Sequence, residues 1–252
     1  MFTRRNFLKM CMSSLLAASG LEITAPLLLS RSAASQKIPI LLYHRVGYTT
    51  DQLTVTPERF SNDLALLADY GYQAISLRQF QTFLQGNDAD LPEQPVLITL
   101  DDGYSDNYEN AFPILQNFGI SATFFIITGL LWTPGRLTPE QLREMAGSGM
   151  CFGSHTVTHR PLATLSSQEA EEELNSSRST LESILGTPVD TIAYPCGSYN
   201  DTIIQIAQNN GYHEGLTVRN GTCSTNSPLF ELRRIPVFRY DSGILSVIAS
   251  RS

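Results

Sequence analysis

Short unbroken apolar runs alternate along this chain with longer stretches in which apolar residues return every third or fourth position. Ile38-Pro39-Ile40-Leu41-Leu42-Tyr43 has no polar break, the pattern of a strand buried on both faces. Thr56-Pro57-Glu58 then opens a helix with a capping hydroxyl, a proline at the first helical position and an acid in the first turn. Phe60, Leu64 and Leu67 follow at helical spacing, and Gly71 supplies the stop. The same reading predicts further strands at 73–77, 96–100, 122–128, 150–154, 191–194, 214–218 and 234–238. It predicts helices at 78–85, 107–118, 166–185, 201–209 and 244–250, and another beginning at Thr138-Pro139-Glu140.

About eight strand–helix units with short connectors, no low-complexity linker and no clear repeat favour an α/β chain folded as a single parallel (β/α) barrel. An open doubly wound sheet is the alternative. Neither G-x-G-x-x-G nor G-x-x-x-x-G-K-[ST] follows the early strands, so a nucleotide-binding fold has no support.

The first 34 residues are set apart from this alternation. Thr3-Arg4-Arg5-Asn6-Phe7-Leu8-Lys9 carries a twin-arginine pattern, and a weakly apolar stretch runs from Met10 to Leu29. Ser32-Ala33-Ala34-Ser35 suits a signal peptidase cutting after Ala34. Residues 1–34 are therefore expected to be a twin-arginine signal segment, cleaved or retained as an anchor, and 35–252 the folded domain, exported to the periplasm or beyond. No uninterrupted apolar run reaches the roughly 18 residues of a bilayer span.

Composition adds exclusions. Of 252 residues, 42% are hydrophobic and 16% charged, enough apolar material for a sizeable core and too little charge for a disordered chain. The formal net charge is −7, and beyond residue 34 the balance is 13 Lys and Arg against 23 Asp and Glu, or −10. Such a surface argues against nucleic acid or an anionic membrane as partner. Four cysteines become three once Cys11 leaves with the signal, so at most one internal disulfide forms. Cys196 with Cys223 is one pairing, leaving Cys151 as a buried thiol; three unpaired thiols is the other arrangement. No C-x-x-C is present, which disfavours a cysteine zinc site.

In a parallel barrel, chemistry sits where strands end and loops begin. Four predicted strands end in residues capable of it: Tyr43 delivers His44, Leu100 delivers Asp101-Asp102-Gly103, Ser154 delivers His155-Thr156-Val157-Thr158-His159, and Tyr194 delivers Pro195-Cys196-Gly197. Three of the four histidines lie at these ends. Adjacent carboxylates are costly to desolvate, and successive side chains at a strand end point apart, so Asp101 and Asp102 can take different roles. His155 and His159, four apart, can meet one ion; two imidazoles and a carboxylate suit zinc or a related divalent cation, with positions left open for water and substrate. The economical reading is a metallohydrolase. A solvated Asp-Asp-Gly turn and two surface histidines is the bland one.

Thr99-Leu100-Asp101-Asp102-Gly103 resembles the T-F-D-D-G motif of the polysaccharide deacetylases (NodB homology, carbohydrate esterase family 4), and Ser154-His155-Thr156-Val157-Thr158-His159 resembles their S-H-[ST]-x-x-H motif. The resemblance covers essentially all of 37–252. It implies a distorted (β/α) barrel that hydrolyses acetyl groups from a sugar polymer, with Asp101 as catalytic base and Asp102, His155 and His159 as metal ligands. The implied cofactor is a divalent ion, zinc first and cobalt, nickel or iron as alternatives. The family's C-terminal L-x-H is missing after Pro195, but Leu42-Tyr43-His44-Arg45-Val46 is similar to the N-terminal motif of the poly-N-acetylglucosamine deacetylase branch, where the last motif is permuted to the front. His44 is thereby the implied acid and Leu42 a wall for the acetyl methyl.

The family's R-x-P-x-G appears as Ala193-Tyr194-Pro195-Cys196-Gly197, without the arginine that orients the base; a remote arginine such as Arg45 is the expected substitute. By resemblance the Cys196 N–H lines the oxyanion hole, with Tyr194 beside it. A Cys196 thiol nucleophile has no dedicated histidine, and no G-x-S-x-G elbow supports a serine hydrolase. His213 is read as structural. Trp132, Tyr104 and Tyr199 are read as a sugar-stacking platform or as core. The expected substrate is an acetylated polysaccharide, an N-acetylglucosamine polymer first, processed by a monomer. An O-acetyl esterase on xylan or another glycan, and a non-catalytic carbohydrate-binding barrel, are the alternative functions.

Overall fold

The computed structural model describes residues 36–87 and 90–252. The signal segment read at 1–34 lies outside them. In chain order the elements are β1 (Ile38–Tyr43), β2 (Arg45–Val46), β3 (Thr54–Val55), α1 (Pro57–Asp69), β4 (Gln73–Ile75), α2 (Leu77–Leu84) and β5 (Pro95–Asp101). They continue with α3 (Phe112–Phe118), β6 (Thr123–Ile126), α4 (Pro139–Gly147), β7 (Cys151–Ser154), α5 (Ser167–Leu185), β8 (Thr191–Ala193) and α6 (Asp201–Asn209). The chain ends with β9 (Glu214–Leu216), β10 (Thr222–Cys223), β11 (Ile235–Pro236) and α7 (Ile244–Arg251).

Four of the helices, α1, α2, α4 and α5, start where hydroxyl caps stand. Thr56 accepts from the Arg59 N–H, and Ser76 with Gln79, Thr138 with Gln141 and Ser166 with Glu169 form reciprocal capping boxes. Gly119 and Gly186 end α3 and α5 in the left-handed conformation that only glycine adopts at no steric cost. The helix expected at 107–118 begins instead as one wide π turn at Asn107–Ala111. Pro113 has no N–H for the helical ladder and its ring crowds the carbonyl four residues back, which favours that wide turn.

The strands form a curled, mostly parallel sheet in the order β10-β1-β5-β6-β7-β8-β9, with β11 also on β1 and β4 also on β5; β10 is antiparallel to β1. The barrel is distorted in two places. β1 pairs directly with β5, Ile40–Tyr43 against Leu97–Leu100, rather than through β4. On the far side no full strand among the described residues joins β9 to β1; the segment leading into β11 spans the gap. Its Leu232 N–H donates to the Gly215 carbonyl (2.9 Å), and the Val237 N–H donates to Leu42 (2.9 Å).

Alternation along the strands puts one set of residues inside the barrel. Ile38, Ile40, Leu97, Phe125, Ala193 and Leu216 share an apolar cluster there, while Leu41, Tyr43, Ile98 and Leu100 pack under the helices. Going up the inner face, β1 runs Ile40, Leu42, His44 and β5 runs Leu97, Thr99, Asp101, so the filling turns from apolar to polar at the strand C-terminal ends. The inside has no slack at Gly153, where a Cβ would overlap the Phe125 ring and press on the Thr191 carbonyl. Gly153→Ala is expected to cost about 2 kcal/mol and lower Tm by several degrees, measured by thermal and urea unfolding.

Cys151, Cys196 and Cys223 are all free thiols, which corrects the Cys196–Cys223 pairing. Cys223 is buried on β10 with its Sγ on the Arg233 carbonyl, whereas Cys196 is exposed, and Cys151 is only half-buried. No helix among the described residues is long and apolar enough to cross a membrane.

Candidate active site

Four strand ends meet at the polar rim. β5 ends at Asp101, and the chain turns at once through Asp102 (φ 77°) and Gly103 (φ 64°). A left-handed aspartate is strained, and such strain persists only where surrounding structure fixes it. Here Arg136 Nη1 donates to the Asp102 carbonyl at 2.6 Å and the Leu137 N–H donates to Gly103 at 3.0 Å.

The loop after β7 carries the two histidines through two further left-handed residues, Thr156 (φ 65°) and His159 (φ 63°). A single buried carboxylate on α5 holds it. Glu173 Oε2 accepts from the Val157 and Thr158 N–H groups, both 2.8 Å, and Oε1 accepts from the Thr158 hydroxyl. The His159 N–H donates to Thr156 Oγ1 at 3.1 Å.

This turn brings both imidazoles onto one oxygen. His155 Nε2 lies 3.4 Å and His159 Nε2 3.5 Å from Asp102 Oδ1, and the ligand atoms of the three residues fall within 4.8 Å of one another. His155 Nδ1 is 2.7 Å from the Ala193 carbonyl, which accepts its proton and leaves the Nε2 lone pair for the site. Asp102 Oδ1 is buried with no hydrogen-bond partner among the described residues. An orphaned carboxylate oxygen between two imidazole nitrogens is a costly arrangement that a shared divalent cation satisfies, so this group can hold a metal. Burial works against ionising Asp102, yet the His155 imidazole overcomes it and holds the carboxyl far below the ordinary carboxylate range. At His155, burial favours the neutral ring, but Asp101 and Asp102 outweigh it and raise the pKa; at His159, burial and then the His155 charge lower it.

Asp101 lies beside this triad, 3.9 Å from His155 Nε2, but its own partner is Arg234. The guanidinium grips it in a fork, Nη1 to Oδ1 at 2.8 Å and Nη2 to Oδ2 at 2.7 Å. Arg234 is 0% exposed; its Nε donates to the Thr217 carbonyl at 2.8 Å, and Nη1 also reaches Thr99 Oγ1 at 3.3 Å. Burial pushes the Asp101 carboxyl up, and Arg234 followed by His155 more than offsets it, keeping the pKa below the usual value. The clamp that Ala193 does not supply thus comes from the segment leading into β11. Arg45, the expected substitute, is committed elsewhere: its Nε pairs with Asp106 at 2.7 Å.

His44 sits one step past the Tyr43–Leu100 register, on the inner face next to Asp101. Asn107, at the head of the π turn, donates to the His44 carbonyl at 2.9 Å. The imidazole Nδ1 is buried without a partner among the described residues, and burial lowers the pKa more than the nearby Asp101 and Asp102 charges raise it. Leu42, fully buried, lies one layer below on the same face. The Tyr194–Gly197 turn has Cys196 at φ 56°, and its N–H takes no part in the hydrogen bonds that close the turn. Tyr194, expected beside the oxyanion hole, points away from Ala193 and the barrel interior and is buried under α5 and α6 against Tyr199, because successive strand residues alternate faces. His213 is exposed near Asp190, away from these strand ends, so the structure gives it a surface position.

Of the predicted residues, the structure brings His44, Asp101, Asp102, His155 and His159 together. Sequence reading missed Arg234 and Glu173; the only trace of the former was an arginine placed at the head of an apolar run.

The polysaccharide deacetylase pattern matches residues 88–215. The chain belongs to the polysaccharide deacetylase family. The Bacillus subtilis protein YxkH, a polysaccharide deacetylase by name, is 34% identical over 201 residues, covering 80% of this chain and 71% of its own. A poly-beta-1,6-N-acetyl-D-glucosamine N-deacetylase of Staphylococcus aureus is 27% identical over 196 residues, 72% of this chain and 67% of that one. Among solved structures, the Streptococcus pyogenes deacetylase PplD in complex with acetate superposes with a TM-score of 0.80 at 32% identity, covering 86% of this chain and 99% of that one. Membership makes this polysaccharide deacetylase a hydrolase and agrees with the distorted barrel.

Proposed function

We propose that this polysaccharide deacetylase is metal-dependent and removes N-acetyl groups from an N-acetylglucosamine polymer outside the cytoplasm. The observation that carries the reading is the convergence of His155 and His159 on the unpartnered Asp102 oxygen, with Asp101 clamped alongside. Asp102, His155 and His159 would hold the cation, and the two-imidazole, one-carboxylate set favours zinc, with cobalt, nickel or iron as alternatives. A cation there supplies Lewis acidity and makes water a nucleophile near neutral pH.

The remaining work falls to the chain's own residues. Asp101, kept ionised by Arg234, takes a proton from the attacking water. The Cys196 N–H donates to the oxyanion that forms on the acetyl carbonyl, a contribution on the order of 3 kcal/mol. His44 delivers a proton to the leaving nitrogen, without which an amine departs poorly. Leu42 walls the acetyl group. Water is thereby split across the amide, giving acetate and a free amine. The best support for a non-catalytic barrel was the missing arginine at Ala193, and the Arg234 clamp removes that support. The S. aureus relative is by name an N-deacetylase, which favours an amide over an ester substrate. Within this reading, residues 1–34 direct twin-arginine export and 35–252 form the catalytic domain, acting as a monomer.

The test is acetate release and free-amine formation on matched N- and O-acetylated glycans, before and after chelation. Activity on the N-acetylated polymer that is lost on chelation and restored by zinc is expected. Hydrolysis of esters alone, or undiminished release after complete removal of metal, contradicts the reading.

A further inference from the structure

The three aromatic residues grouped in the sequence as a sugar platform are not alike. Tyr104 has the guanidinium groups of Arg45 and Arg136 at 4.5 and 4.0 Å from its ring centroid, and two cations that close need one face each. Tyr199 stacks on Tyr194 with centroids 4.9 Å apart and takes Arg219 at 5.1 Å. Trp132 is different: it is 67% exposed, and no aromatic or cationic group among the described residues covers its faces.

The Trp132 backbone is also strained, with φ 63°, an outlier for so bulky a residue. Strain of this kind is kept only where neighbouring bonds over-determine it. The Trp132 N–H donates to Leu137 at 3.2 Å, inside a tight turn closed by Thr133 N–H to Leu130 and Arg136 N–H to Thr133, both 3.1 Å. The nearby Glu140 carboxyl is lowered first by its own backbone N–H, then by the Thr138 hydroxyl, and also by Trp132.

This loop is fastened to both halves of the metal-binding group. On one side the Thr128 and Gly129 N–H groups donate to Thr156 (3.0 Å) and Val157 (2.9 Å), in the turn between His155 and His159. On the other, Leu137 N–H donates to Gly103, Ser105 N–H donates to Gly135 at 2.9 Å, and Arg136 holds the Asp102 carbonyl. Two backbone hydrogen bonds therefore separate Trp132 from the residue after Asp102, a span on the order of 10 Å. The indole is an open apolar face at a fixed offset from the reacting centre.

We propose that Trp132 forms a glycan subsite, its indole face stacking on the C–H face of a pyranose one or two units along the polymer from the one being deacetylated. The inference rests on the deacetylase reading and names how that site holds a chain rather than a single sugar. In a β-linked glucosamine unit the hydroxyl and amide groups lie at the ring's edge, which leaves both faces as patches of C–H. A rigid aromatic matches such a patch at small entropic cost.

Trp132 is the chain's one tryptophan, so intrinsic tryptophan fluorescence reports on this subsite alone. In the zinc-loaded full chain carrying Asp101→Asn, a β-1,6-linked N-acetylglucosamine pentamer is expected to shift the emission saturably and shield it from iodide; the monosaccharide is expected to do neither. In otherwise wild-type enzyme, Trp132→Ala is expected to lower the pentamer-to-monosaccharide ratio of kcat/KM by about tenfold, through KM, with Trp132→Phe in between. Equal loss on both substrates assigns Trp132 a structural role and overturns the subsite. So does an unchanged emission with a pentamer that the wild-type enzyme deacetylates, which leaves the deacetylase reading standing. A saturable shift with no acetate release does the reverse, and absence of both overturns both.

Discussion

Asp101→Asn is expected to lower kcat on an N-acetylated glycan by about 10³-fold while the chain still binds one cation. Asparagine is nearly isosteric and keeps a carbonyl oxygen for Arg234, so the fork that orients position 101 is only weakened. What disappears is the oxygen able to take a proton from water. Asp102, His155 and His159 are untouched, so metal content separates this loss from loss of the site. The check is kcat together with metal analysis of the same sample. Activity near wild type would move the base to another residue, and loss of the cation would make Asp101 a ligand.

Removing the clamp should act on stability and pH profile at once. Arg234→Leu leaves the Asp101 carboxylate buried beside an apolar chain, a cost of about 3–5 kcal/mol read in urea unfolding at pH 8. The direction with pH follows from linkage. In wild type the folded Asp101 pKa is depressed, so its stabilisation is present above the unfolded value and fades as pH falls through the folded one. Without Arg234, burial is no longer offset by its largest opponent and the pKa rises. The acidic limb of kcat/KM against pH therefore moves to higher pH, and the variant's stability deficit shrinks on acidification as Asp101 becomes neutral. Arg234→Lys keeps the charge but not the fork, and should fall between on both readouts. A Leu variant with wild-type stability and an unmoved acidic limb would mean that Arg234 neither holds nor tunes the base.

How far the sequence revealed this site follows from where the contacts lie in the chain. Asp101 and Asp102 are neighbours, and His155 and His159 sit on one turn, so residue type and spacing were enough to single them out. His44 was found because it ends an apolar run. Arg234 lies 133 residues from Asp101, and its role depends on how β9 and β1 are bridged, which no local pattern encodes. Glu173 is one acid among several on α5, and only packing distinguishes it from the exposed Glu171 and Glu172. The same limit applies to the fold. Alternation located the strands, but the direct β1–β5 pairing and the displaced β4 are tertiary choices. The π turn before Pro113, which supplies Asn107 to the His44 carbonyl, reads in sequence as ordinary helix.

The whole account depends on three side chains sharing one cation. The most direct measurement is zinc binding by equilibrium dialysis, comparing the metal-stripped wild type with Asp102→Asn, His155→Ala and His159→Ala, each shown to be folded by circular dichroism. One zinc per wild-type chain is predicted, with affinity in each variant weakened beyond the roughly 100-fold that loss of a supporting group costs. A folded wild-type chain that takes up no zinc, cobalt, nickel or iron, or variants that bind as tightly as wild type, would contradict it.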